Sequence, residues 1–105
     1  MDSRTLAENY QEHLGTVPVE DLVKAIVETG NGEIAYTFAY DVEWAPLTTL
    51  GEVVAEHGLP STAYFFYWRY RWQLDEPLLA ALRKNVEREP KVLEQLDLLI
   101  SESNG

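Results

Sequence analysis

The side chains in this sequence that could do chemistry fall into three sets: two histidines, some paired carboxylates, and a run of aromatic rings carrying two arginines. His13 and His57 could act as bases or metal ligands, but no HExxH pair sets two histidines on one helix face. There is no GxSxG elbow to expose a serine nucleophile and no glycine loop of the phosphate-cradling kind. With no cysteine at all, thiol nucleophiles, thiolate zinc sites and disulfides are excluded. Glu20-Asp21 and Asp41-Glu43 could in principle hold a cation, yet short acidic pairs are usually a solvated face. No set combines nucleophile, base and oxyanion donor, so the expectation is a protein that is not an enzyme and holds no metal or cofactor.

The third set is AYFFYWRYRWQ, Ala63 to Gln73, with seven aromatic rings and two arginines in eleven positions. Rings interleaved with arginine can stack on single-stranded bases. That mode draws its affinity from phosphate neutralisation, and the chain carries a net charge of −10, which excludes the positive groove required. On a helix, Ala63, Phe66, Tyr67 and Tyr70 share one face, Tyr64, Trp68 and Trp72 form a second stripe, and Phe65 and Arg69 lie between them. Rings nearly all round a helix suit a buried central element. Tyr, Trp and Arg are also the residues enriched at binding hot spots, and Arg69, Arg71 and Trp72 cluster at the end of the run. Both readings stay open, with Arg71 and Trp72 expected to be exposed.

The charge is unevenly distributed. Residues 1–60 hold eleven acids against only Arg4 and Lys24, a balance of −9, whereas residues 61–105 balance to −1. Such a field repels nucleic acid and anionic lipid and speeds encounter with basic partners. The acids nearest a potential aromatic anchor are Asp41 and Glu43, followed at once by Trp44 and then Ala45-Pro46. An exposed Trp beside carboxylates would make a partner site; the alternative is that Trp44 plugs the core.

The elements that must position these residues read as a series of short helices. The 105 residues suit one domain, 1–105. Ser3 is placed to cap a helix through about His13, with Leu6, Tyr10 and Leu14 on one face. Thr16 caps the next, whose stripe of Val19, Leu22, Val23, Ile26 and Val27 runs to Gly30-Asn31-Gly32. Leu47, Leu50, Val53 and Val54 mark a helix ending at Gly58, and Ser61 is a cap for the aromatic run. Pro77 stands near the start of a helix with Leu78, Leu79, Leu82 and Val86, and Pro90 opens the last one. Ser101 to Gly105 should form a frayed tail. Glu33 to Trp44 is ambiguous: alternation of Ile34, Tyr36, Phe38, Tyr40, Val42 and Trp44 fits a strand, and Ile34, Phe38 and Val42 fit a helix face. The fold expected is therefore all-α with about six or seven short helices, the alternative being α+β with strands at 34–44 and 64–72. Ile26, Phe38, Leu50, Phe66 and Leu82 are expected as buried anchors of successive helices.

Residues 34–69, with FAYDVEW, LTTLGEVVAEHGLPSTA and YFFYW, resemble a family of small uncharacterised bacterial all-helical domains. In that pattern an apolar helix enters an acidic Trp corner, a second helix ends in a polar turn, and a Thr-Ala pair leads into a Phe/Tyr-Trp helix. The matching positions are Phe38, Trp44, Thr62, Ala63, Phe66, Tyr67 and Trp68; Ala45 and Pro46 depart from it, since the family follows its Trp with acids and Gly. The resemblance implies that 34–44 is helical and implies no reaction.

The N-terminal MDSRTLAENYQEHLG lacks a basic segment followed by an apolar one, and no apolar run is long enough to span a bilayer. The expectation is a cytoplasmic protein without membrane contact. Its function is expected to be that of a small acidic interaction protein of the immunity-protein or inhibitor type, masking a basic partner such as a toxin, nuclease or other effector. The expected site is Asp41, Glu43, Trp44, Arg69, Arg71 and Trp72. Alternatives are a structural or regulatory domain that homodimerises, or a nucleic-acid mimic.

Overall fold

The computed structural model describes residues 2–104 and is all-α, with no strand among them. Eight helices follow in order: α1 Ser3–Glu8, α2 Tyr10–His13, α3 Val19–Thr29, α4 Gly32–Asp41, α5 Leu47–His57, α6 Pro60–Tyr70, α7 Glu76–Val86 and α8 Pro90–Asn104. The ambiguous segment is thus helical as far as Asp41, and the strand alternatives at 34–44 and 64–72 do not form.

Local chemistry explains the boundaries, including four the sequence misplaced. The cap of α1 is Asp2, whose carboxylate accepts from the Thr5 amide at 2.8 Å, so Ser3 is already inside the helix. The helix expected through His13 breaks at Asn9, whose side-chain amide donates to the Thr5 carbonyl, a bond that competes with helix continuation. Thr16 caps nothing: its hydroxyl donates back to His13, and α3 starts after Pro18. Ser61 is likewise inside α6, which opens on Pro60 at its first position. Asp75 caps α7 through the Leu78 amide, and Gly30 ends α3 in the left-handed region at φ 68°. The tail expected to fray continues α8 as helix to Asn104, and Gly105 lies outside the described residues.

The principal packings are α1 on α3, α4 on α5, α5 on α7 and α6 on α7, with α8 against α6 and α7. The body is elongated, 46 × 23 × 21 Å. All five anchors expected from the sequence are fully buried: Ile26, Phe38, Leu50, Phe66 and Leu82. Leu22, Val54, Val86 and Leu96 join them. Close approach of α4 to the end of α5 depends on Gly32, because a Cβ there would lie 2.3 Å from Gly58 Cα. No helix among the described residues is long and apolar enough to cross a membrane.

Two polar clamps hold this framework. Glu33 accepts from the Leu59 amide and the Thr62 hydroxyl, both at 3.0 Å, so the first turn of α4 satisfies donors at the start of α6. Asn85 on α7 is buried and its amide nitrogen faces the carbonyls of Val54, Ala55 and Gly58 at 3.2, 2.9 and 2.9 Å. It closes the C-terminal end of α5, where carbonyls lack helical partners. Arg88 adds bonds to Gly58 O at 2.7 Å and Asn85 Oδ1 at 2.9 Å.

Candidate interaction surface

The corner after α4 is built by a helix that ends and a chain that turns. The Val42 amide still donates to Phe38 O and the Ala45 amide to Val42 O, and Pro46 then leads into α5. Val42, Ala45 and Leu47 pack on the core and leave Trp44 between them facing solvent at 87 % exposure. The reading of Trp44 as a core plug is therefore wrong. Burial of such a ring is among the larger apolar gains available at an interface.

Glu43 is exposed and in no ion pair among the described residues. Asp41 differs from the expectation. Although exposed, its carboxylate accepts from the Tyr10 hydroxyl at 2.5 Å and from the Gln11 amide at 3.0 Å, tying α4 to α2. Burial first, and donation to this carboxylate second, push the Tyr10 phenol above its ordinary pKa. Asp41 is thus occupied structurally and adds field to the corner without being a free contact.

Trp44 borders a groove of about 340 Å³ whose other lining residues are Val19, Glu20 and Val23 of α3 and Pro46. Sequence reasoning missed this neighbourhood, because Val19 and Glu20 are 24 or more residues away and only folding sets them beside the indole. Val19, 37 % exposed, is with Val27 one of two residues of the α3 stripe that reach beyond the core.

The aromatic run is buried on one side and exposed on the other. Ala63, Phe66 and Tyr70 are buried, with the Phe66 and Tyr70 rings 4.8 Å apart, while Phe65 is half exposed. Phe65 stacks nearly parallel on Tyr36 at 6.5 Å, and the Arg69 guanidinium lies 4.5 Å from the centre of the Tyr40 ring. α6 stops at Tyr70, so Trp72 is presented by a turn, closed by the Gln73 amide on Tyr70 O, and is 77 % exposed. Arg71 corrects the expectation of exposure: it is half-buried, 3.6 Å from the Trp68 ring and 4.8 Å from Trp72, and donates to Trp68 O. Its Nε is buried without a partner among the described residues.

The six expected residues therefore do not converge on one patch. Asp41, Glu43 and Trp44 belong to a corner bordered by α3, whereas Arg71 and Trp72 line a groove with Leu79 of α7 and Ile100 and Ser103 of α8. Arg69 stands on Tyr40, one residue before Asp41. Among the described residues no three His, Cys, Asp or Glu side chains group as a metal site. Comparison of the chain with protein-family models, curated proteins and solved structures returns no match.

Proposed function

We propose that this is an acidic binding protein that docks on a basic protein through the Trp44 corner and masks the surface it covers, in the manner of an immunity protein or inhibitor. The observation that carries this reading is Trp44 at 87 % exposure, flanked by Glu43, which forms no ion pair among the described residues, in the half of the chain whose balance is −9. An exposed Trp supplies a desolvated anchor, and the surrounding field supplies long-range steering toward positive partners. The net charge of −10 opposes close approach of two copies, which sets this reading ahead of homodimerisation.

The test is comparative capture. Wild-type chain and the Trp44→Ala and Glu43→Gln variants are used as parallel baits at low and at physiological salt, and retained proteins are identified. A basic protein held by the wild type, lost from Trp44→Ala and weakened with salt supports the proposal. Equal retention by all three baits, or a partner that is itself acidic, contradicts it.

A further inference from the structure

Beside Trp44 the fold leaves a slot with a consistent chemical character. Val19 and Val23, one turn apart on α3, form an apolar side; Val23 is the most buried lining residue and makes the base. Trp44 and Pro46 line the slot as well, and Glu20 is the one charged lining residue among those described. Grooves elsewhere on the described residues carry both signs: Asp21, Glu28 and Lys24 between α1 and α3, Glu52, Glu56, Lys84 and Arg88 between α5 and α7, and Glu76 with Arg71 near Trp72. Lys24, the nearest base on α3, lines the α1 groove and not the Trp44 slot. The slot thus pairs an apolar cleft and an open indole with an acid and no internal cation.

We infer that this slot receives an arginine side chain of the basic partner, the guanidinium stacking on Trp44 and meeting Glu20 while the methylene stem packs on Val19 and Val23. The inference rests on the proposed basic partner and specifies its anchor. Three features select this occupant. A guanidinium is planar and weakly hydrated and stacks on an indole face better than an ammonium does. Its three-carbon stem is apolar and suits the valine side. Its charge complements Glu20, which forms no ion pair among the described residues, and Glu43, next to Trp44 in the chain. The precedent lies in the same molecule, where Arg69 stands over Tyr40 and Arg71 beside Trp68.

The experiment uses the intact chain and two small probes, N-acetyl-arginine methylamide and its citrulline counterpart, which has nearly the same shape without the charge. Two-dimensional NMR follows the indole N–H signals of Trp44, Trp68 and Trp72, assigned with Trp44→Phe, and the methyls of Val19 and Val23. The arginine probe should shift Trp44, Val19 and Val23 saturably, with the citrulline probe at least about threefold weaker, as the removal of one exposed charge pair implies. Glu20→Gln should weaken the arginine probe by a similar factor and leave the citrulline probe unchanged. Glu20 also lies in the first turn of α3 beside its dipole, so thermal unfolding of the variant is recorded to show that α3 is intact. Equal responses to the two probes, no response at Trp44, or a response at Trp72 as large as at Trp44 overturns the inference. None of these outcomes touches the capture result: a chain that retains a basic protein yet ignores the arginine probe loses only the anchor, and a chain that binds the probe but no basic protein loses only the partner.

Discussion

Asn85 offers the sharpest test of how the helices are held together. It is 6 % exposed, and its amide serves three carbonyls at the end of α5. Replacement by Leu keeps most of the volume and removes every one of these bonds. The three acceptors do not fare equally. Val54 O retains the Gly58 amide at 2.8 Å, and Gly58 O retains Arg88 at 2.7 Å. Ala55 O has no such reserve, because the Leu59 amide that would follow it in a continuing helix is taken by Glu33. One carbonyl left without a partner costs about 1–3 kcal/mol, and loss of the second N–H, shared between the two carbonyls that keep other donors, adds about 0.5–1.5 kcal/mol. With part of the loss recovered by packing the leucine, a destabilisation of about 2–4 kcal/mol follows, a large share of the roughly 5–15 kcal/mol of a typical domain. Urea unfolding followed by helical circular dichroism measures it, and the melting midpoint should fall by about 10–25 °C. The companion Arg88→Gln, at a more exposed position, should cost under about 1 kcal/mol. A loss below about 0.5 kcal/mol for Asn85→Leu with unchanged denaturant dependence would refute the clamp.

Other consequences are equally concrete. Phe66→Ala, at a site with no exposure, should cost about 3–5 kcal/mol in the same assay, and a loss under about 1 kcal/mol would remove Phe66 from the core. Gly32→Ala should destabilise by more than about 2 kcal/mol, since its Cβ would meet the Gly58 backbone at 2.3 Å and no side-chain motion relieves that contact; a melting temperature equal to wild type would contradict it. Burial raises the phenol pKa values of Tyr10 and Tyr36 above 10.0, so both rings favour the neutral form in the fold. Their contribution is complete below the unfolded pKa and is lost as pH rises from about 10 through the folded values. Phenolate absorbance should show ionisation above the ordinary phenol range, with Tyr10→Phe removing part of it and reducing the alkaline loss of stability.

What the sequence revealed and what it withheld divide along sequence distance. Periodicity located the anchors Ile26, Phe38, Leu50, Phe66 and Leu82, because burial on a helix repeats every three to four residues. Alternation misdirected the reading of 33–44 only in part: Tyr36 and Tyr40 alternate with Phe38 because they form a half-exposed ring surface under Phe65 and Arg69, not a second strand face. Caps were misjudged at both positions: Asp2 caps α1 in place of Ser3, and α6 follows Leu59 without a side-chain cap, opening on Pro60 with Ser61 already inside. The exposed corner of the candidate site was legible at Trp44, whose carboxylate neighbour and Pro-terminated corner are local. Its surroundings were not, since the Tyr10–Asp41 bond, the Asn85 clamp and the Val19–Glu20 wall join residues 24 or more positions apart. Nothing in local pattern marks such pairs.

The central claim, that the Trp44 corner binds a basic protein under electrostatic guidance, is tested most directly by association kinetics with a captured partner. Rates and affinities are measured for wild type, Glu43→Gln and Trp44→Ala across ionic strengths up to and beyond about 0.15 M, where the screening length falls to about 8 Å. The account predicts an association rate that falls steeply with salt and a shallower slope for Glu43→Gln. For Trp44→Ala it predicts faster dissociation and about thirtyfold or more lost affinity, with melting temperature unchanged. A salt-independent association rate, or full affinity in Trp44→Ala, would contradict it.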